Sequence, residues 1–466
     1  MKDLMSPSRR LSGILACCLF FAVACSQEAS SPQTGSDTSW FEGARLIVGD
    51  GSEPVEDSAF LVEGDTITWV GRKGERQPPG GALRVDLSGK TVMPALIDGH
   101  NHNGLTDIRN GSNTKANYTR DNLVDQLERC AYYGVAATLS MGLEADPEVA
   151  YRLRDEVIPN AARFLTVGKG IAATSMAGPP TEARLGIPYG AATEEEGRKE
   201  VQALHARGVK FVKIWVDDRE GAVPKLKPNV YRAIIDEAHA NGQQVLAHLG
   251  RTSALEDAKD LFRAGIDGFV HTVRDRDVDE EYLAMVKMHP NVWTGPNMPS
   301  SGITEDDVAS LAETVPASQV EQMRQEIERR KASGNTGPNE LFQLHCRNLR
   351  KIHDAGMTIG LGTDGIGDGF GVHQQLASYT QCGMTPREAI VAATGTNAKV
   401  LGLDKMGTVA AGREADFVVL DANPLDDILN TRRISRVYLR GKEVDRQALR
   451  ARFTGANSGP RPKSSS

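Results

Sequence analysis

Two kinds of hydrophobic pattern divide the chain. Between residues 40 and 92, short alternating runs such as Ala59-Phe60-Leu61-Val62 and Thr66-Ile67-Thr68-Trp69-Val70 are broken by Gly49, Gly51, Gly64-Asp65, Gly71 and Gly80-Gly81. This is the punctuation of hairpin-forming strands. Residues 407–421 and 436–444 read the same way. Between these ends, apolar runs alternate with helical stretches, the signature of repeated β-α units and a parallel sheet. Strands are expected near residues 97–100, 136–140, 164–167, 211–216, 244–248, 268–271, 292–294 and 358–362, and eight of them suffice for a closed (β/α)8 barrel. Helices are expected at 121–133, 229–240, 254–264 and 341–355. The polar run 305–331 fits an inserted helix over the barrel mouth or an ordinary solvated helical face.

The first residues carry Lys2, Arg9 and Arg10, and the apolar run that follows, 11–24, is too short to span a bilayer comfortably. With Ala22-Val23-Ala24 as a small-residue cleavage pattern, residues 1–24 have the build of a secretory signal peptide. Export to the periplasm is therefore expected. Cys25 follows at once, and AVAC resembles a bacterial lipoprotein box, although Ala22 stands where leucine is commonest. Residues 25–39 are rich in Ser, Thr, Gln and Gly and read as a polar tether, so a membrane lipid anchor on Cys25 is preferred to a free periplasmic protein.

Roughly 400 residues remain, more than one ordinary domain needs. The formal charge of −7 comes without a basic run, so nucleic acid is not an expected partner. Beyond Cys25 only Cys130, Cys346 and Cys382 occur, without CxxC spacing. Neither a disulfide framework nor a thiolate zinc site is expected, and the three read as buried small apolar residues. The pattern sets no oligomeric state.

The chemistry lies at the ends of apolar runs. His100 and His102 close the run Val92-Met-Pro-Ala-Leu-Ile-Asp98, two strand residues apart and therefore on one face, which suits one metal ion. Lys213 sits inside Phe211-Val-Lys-Ile-Trp215, where a buried lysine costs several kcal/mol without a partner. His248 ends Gln-Val-Leu-Ala-His, His271 ends Gly-Phe-Val-His and Asp364 ends Ile-Gly-Leu-Gly-Thr-Asp. Each alone is an unremarkable core or edge residue. Together, on strands one, four, five, six and eight, they converge on one barrel mouth.

This order resembles the binuclear pattern of the amidohydrolase superfamily, and Pro94-Ala-Leu-Ile-Asp98 resembles its strand-one signature with Ala95 in place of the usual glycine. VKIWVDD, the GTDG loop and the terminus GREADFVVLDANPLDDI are similar to its imidazolonepropionase-like and exported dipeptidase-like branch. The resemblance implies a (β/α)8 TIM barrel, residues 93–404, beside a small β-sandwich domain built from both chain ends, 40–92 and 405–450, with 451–466 a polar tail. It also implies two divalent ions, for which the ligand type suits zinc. His100, His102 and Asp364 would hold one, His248 and His271 the other, and Lys213 would bridge them once carboxylated. Ions that share a water bring its pKa from about 15.7 toward 7, with Asp364 as the catalytic proton shuttle.

Single-ion deaminases of the superfamily generally lack the strand-four lysine and carry His-x-x-Glu after strand five. Here Lys213 is present, and the residues three past His248 and His271 are Arg251 and Arg274. Hydrolysis of an amide C–N bond in a small molecule, such as a dipeptide or N-acyl amino acid, is the expected activity. An ester, lactone or phosphotriester would meet the same nucleophile, and an inactive metal-binding surface lipoprotein is the alternative of another class. Arg251 and Arg274 match a substrate carboxylate in fork geometry or pair with Asp217, Asp218, Asp275 or Asp277. Tyr231 and His373 are further candidates for substrate contact, with burial in a helix the competing role for Tyr231. Val270 stands where an acidic residue is frequent, and His205, His239, His289, His345 and His353 read as structural.

Overall fold

The computed structural model describes residues 37–178, 181–299, 302–334 and 339–455. The expected signal peptide, most of the tether with Cys25, and residues 456–466 lie outside them.

The N-terminal hairpin sequence forms β1 (Thr38–Leu46), β2 (Val55–Glu63), β3 (Thr66–Arg72), β4 (Leu83–Asp86) and β5 (Thr91–Pro94). β1 begins inside the stretch read as tether, because Thr38 and Ser39 pair with Glu63 and Val62 of β2. The parallel strands are β6 (Leu96–Asn101), β9 (Val135–Gly142), β10 (Arg163–Lys169), β11 (Ile171–Ala172), β13 (Phe211–Val216), β14 (Gln244–Leu249), β15 (Gly268–Phe269), β16 (Trp293–Thr294) and β17 (Thr358–Ile359). Short excursions add β7 (Thr106–Asp107) and β8 (Ser112–Asn113), which pair with each other, and β12 (Tyr189–Gly190), which pairs with β11. The chain ends with β18 (Phe417–Leu420), β19 (Ile434–Leu439) and β20 (Lys442–Glu443).

The two ends meet in one sheet of order β20-β19-β18-β5-β1-β2-β3, with β4 on β1. The junction is the antiparallel pair β5–β18, from Thr91 opposite Leu420 to Pro94 opposite Phe417. Phe41 and Phe60 from one end pack with Phe417 and Tyr438 from the other, at ring separations of 4.6–5.2 Å. Such offset and edge-on rings add to plain area burial.

Along the middle of the chain, β10-β9-β6 and β12-β11-β13-β14-β15-β16-β17 are two parallel sheets. β10 runs on through Gly170 into β11, and a parallel bridge between Asn101 and Gly365 joins β6 to the segment after β17. The helices cover the strands with one apolar face. In Ala254–Arg263, Ala254, Leu255, Ala258, Leu261 and Phe262 are buried at helical spacing.

The polar run 305–331 is not one helix. It forms Glu305–Leu311 and Ala317–Ala332, separated by a turn at 312–315, with Pro316 in the N-cap position of the second helix, where its missing N–H costs nothing. It packs on the flank of the helix Arg120–Tyr132, where Tyr133 Oη donates to Ser310 O at 2.9 Å. Residues 446–454, expected as strand and tail, form a helix capped by Asp445, whose side chain accepts from Ala448 N. Cys346 and Cys382 are joined in a disulfide, contrary to the expectation from spacing. The helix Glu340–Asp354 lies beside the end of Gly371–Gln381, bringing the two Cα atoms to 4.6 Å across 36 residues of sequence. Cys130 is free and buried, as expected.

Candidate metal centre

Six polar side chains from strand ends gather at one mouth. β6 carries Asp98, His100 and His102 into this region, and their backbone is fixed by a buried network around Asp98. Its carboxylate accepts from Thr363 Oγ1 at 2.7 Å, Thr363 N at 3.1 Å, Asn101 Nδ2 at 2.7 Å and His100 N at 3.2 Å. Thr363 and Asp364 both donate their N–H to His100 O. These bonds hold Asp364 at φ 51°, a left-handed conformation that a non-glycine residue keeps only when its surroundings demand it. Gly362 permits the approach, since a Cβ there would lie 2.5 Å from His100 Cβ.

The result is a compact triad. Asp364 Oδ1 is 3.0 Å from His102 Nε2 and 3.5 Å from His100 Nε2. The three donor atoms lie within 4.8 Å of one another. Next to it, the His100 and His271 rings are 5.3 Å apart, and His271 Nε2 is 2.8 Å from His248 Nδ1. Lys213 is fully buried on β13, two register positions before the residue pair Trp215–His248 that links β13 to β14. Its ammonium has a long contact to Met141 Sδ at 3.8 Å.

Burial acts on all of these groups. It lowers His102 and His248 to about 4 and His100 and His271 well below the ordinary imidazole value, so each offers a lone pair at neutral pH. It also lowers Lys213 to about 7, which makes the neutral amine accessible. Burial pushes Asp364 up, but the histidines around it, with the bond to His102, outweigh this and keep it ionised.

The donor set fits a metal ion on a direct observation. His100 Nδ1 and Nε2 and His102 Nδ1 are buried without a hydrogen-bond partner, which a native interior rarely tolerates. The second pair fits as well. Asn297 Oδ1, an acceptor, sits 2.6 Å from His271 Nδ1, and Asp217 Oδ2 lies 3.4 Å from His248 Nε2. Asn297 fixes the proton on His271 Nδ1 and leaves its Nε2 as a lone pair, while His248 Nε2 lies between Asp217 and the Arg274 guanidinium, whose Nη2 donates to it at 3.0 Å.

A cavity of about 430 Å³ opens on this cluster. His102, His248 and Asp364 form its floor, Trp215 and Asp217 one wall, and Arg184, Arg219, Glu220, Arg251 and Arg274 its rim. A larger open cleft of about 900 Å³ lies around Met357, Thr358 and Pro386; it is lined by His353 but by none of His100, His102, His248 and His271. Three of the loops at the mouth hold non-glycine residues at positive φ, namely Arg219 and Glu220, Ser253, and Asp364.

The substrate-contact candidates separate. Arg251 and Arg274 both line the cavity. Three of the competing acidic partners are taken elsewhere: Asp275 pairs with Arg276, and Asp277 with Arg347 and Lys351, while Asp218 accepts from Thr252; the fourth, Asp217, lines the cavity and its charge acts on Arg274. Arg274 instead donates to Leu249 O at 2.6 Å and Gly250 O at 3.2 Å. Tyr231 does not reach the cavity, because it is buried in the helix Pro228–Ala240. His373 is excluded too, as its ring nitrogens are bound to Thr431 Oγ1 at 3.0 Å and Tyr133 O at 2.9 Å. Ala95 fits in place of glycine, buried with its N–H on Asp416 O, and Val270 is core.

Asn297, Asp217, Thr363 and Arg184 escaped the sequence reading. Asp217, in VKIWVDD, and Thr363, in the GTDG loop, stood in motifs singled out for the site, Asp217 there as a partner for arginine and Thr363 without a role. Asn297 carries no signal, since its role depends on where the loop after β16 falls.

Residues 91–444 match the amidohydrolase family. The chain belongs to the amidohydrolase family. It is a hydrolase of that family, and His100, His102 and Asp364 form a candidate metal-binding site. Among curated relatives, this amidohydrolase is 24% identical to the imidazolonepropionase of Deinococcus radiodurans, covering 84% of this chain and 92% of the other. It is 26% identical to the ochratoxinase of Aspergillus niger, covering 82% and 81%. Among solved structures, molinate hydrolase superposes with a TM-score of 0.70 at 22% identity, over 93% of this chain and 99% of that one. That likeness is one of fold, a TIM-barrel-like α/β arrangement.

Proposed function

We propose that this amidohydrolase is an exported two-metal hydrolase that cleaves the amide C–N bond of a small carboxylated substrate, a dipeptide or N-acyl amino acid. The observation that carries the reading is the gathering of His100, His102, Lys213, His248, His271 and Asp364 beneath one cavity, with ring nitrogens left unpaired at its floor. The two parallel sheets are read as one (β/α)8 barrel and the mixed sheet from both chain ends as its small β-sandwich companion.

His100, His102 and Asp364 would hold one divalent ion and His248 and His271 the other, with Lys213, carboxylated on its neutral amine, between them. Imidazole and carboxylate oxygen suit zinc. Bound there, the ions supply an activated water at neutral pH and polarise the scissile carbonyl. Asp364 takes the proton of that water and delivers it to the leaving nitrogen, a transfer its place in the cavity floor permits. Asn297 keeps His271 in the required tautomer. Arg251 and Arg274 hold a substrate carboxylate.

Export rests on the N-terminal pattern and draws support from the Cys346–Cys382 disulfide, which persists in oxidising compartments. The test is purified protein reconstituted with zinc, manganese or cobalt and assayed against dipeptides, N-acyl amino acids, lactones and phosphotriesters. Turnover of the first two classes with two ions per chain is expected. Turnover confined to lactones or phosphotriesters would overturn the choice of bond.

A further inference from the structure

The cavity has cationic groups on two flanks, and one carboxylate on the substrate accounts for only one of them. Arg251 and Arg274 stand on the His248 side: Arg274 Nη2 lies 3.0 Å from His248 Nε2, and the charges of Arg251 and Arg274 act on one another. Arg184 lines the cavity on the His102 side. Its charge acts on His102, whereas that of Arg274 acts on His248 and His271, and both act on Asp364 between them. Arg184 comes from the long excursion between β11 and β13, independent of the loops that supply the other two.

Arg184 is also unsatisfied. Among the described residues its guanidinium makes no side-chain hydrogen bond or ion pair, and its Nε is buried without a partner. A guanidinium turned toward a cavity in that state is costly unless a ligand completes it. The carboxylates nearby do not. Asp364 faces His100 and His102, and Asp217 accepts from Arg219 N and faces His248. Arg219 is spent in part on Met176 O.

We infer that Arg184 forms a second anion subsite, so that the preferred substrate is a dianion with one carboxylate on each side of the scissile amide. This deepens the amide-hydrolase reading and rests on it. An acidic acyl group joined to an amino acid satisfies both flanks, and the volume of about 430 Å³ is that of a small-molecule site.

The test compares three compounds on the metal-loaded enzyme: N-succinylglycine, its analogue N-pentanoylglycine, and N-succinylmethylamine. The dianion should exceed both monoanions in kcat/KM by about tenfold to a hundredfold, mostly through KM. In Arg184→Met the preference over one of the two monoanions should collapse toward one while the preference over the other persists. Arg184→Lys should restore part of it, and the thermal midpoint should stay that of the parent, since the side chain has no protein partner to lose. Equal kcat/KM for all three compounds, or an equal fall for all three in Arg184→Met, would overturn the inference. Calorimetric binding of the same compounds separates the two readings: absence of turnover with Arg184-dependent binding of the dianion defeats the choice of reaction and keeps the subsite. Absence of both defeats the subsite.

Discussion

His102 and His373 are both almost fully buried, and burial lowers both to about 4. By those two properties they cannot be told apart. His373 has both ring nitrogens in hydrogen bonds, to Thr431 and to Tyr133 O, and ties the helix Gly371–Gln381 to its neighbours. His102 has Nδ1 orphaned and Nε2 against a carboxylate, beside a His100 with neither nitrogen bonded. A shifted pKa therefore reports burial, whereas unsatisfied donor atoms report a missing partner. The same contrast separates Arg184, which lacks a partner, from Arg276 and Arg347, which have theirs.

The comparison can be broken in four places. Asp364→Asn should keep most of the metal yet lower kcat by about three orders of magnitude or more, because the ligand position survives and the proton shuttle does not. Near-parental turnover with intact metal content would remove Asp364 from the reaction. Asn297→Ala should weaken metal affinity about tenfold to a hundredfold by freeing the His271 tautomer. Competition with a chelator measures this, and unchanged affinity would mean that the ring is oriented by packing alone.

His373→Gln and His102→Gln form a matched pair. The first should cost about 1–3 kcal/mol in denaturant unfolding, from buried groups left unpaired, with metal content unchanged. The second should cost the metal-free protein little and lose metal. The reverse outcome would exchange their roles.

The smallest effect is the sharpest control. In chelator-stripped protein, His102, His248, His345 and His373 are all lowered to about 4 by burial, against an ordinary value of 6.5. Below pH 6.5 the unfolded chain takes up protons that the folded one refuses. Stability is therefore full above that value and is lost as pH falls toward 4, at about 1.4 kcal/mol per pH unit for each histidine. Either glutamine variant should remove one histidine's share of that slope. Unequal shares would show that the two sites differ even without metal.

Much of this was written in local sequence. The order of His100, His102, Lys213, His248, His271 and Asp364, and the strands that carry them, followed from apolar runs with a polar residue at the end, because alternation along a strand is a two-residue property. Residues 211–216 form the expected strand, and the helices at 121–133 and 254–264 moved by one residue at most at each end. The sixth and eighth strands end before their apolar runs do, and the seventh starts one residue later than expected.

What the chain kept hidden depends on residues brought together from far apart. The Cys346–Cys382 bond, the hold of Asn297 on His271, the withdrawal of Tyr231 and His373 from the cavity and the solitary charge of Arg184 are facts about where loops and helices come to rest. A loop's course is set by packing against elements distant in sequence, and no short-range pattern encodes it. The sequence by itself determined which groups arrive at the mouth; the tertiary structure decided which of them find partners there and which are left for a ligand.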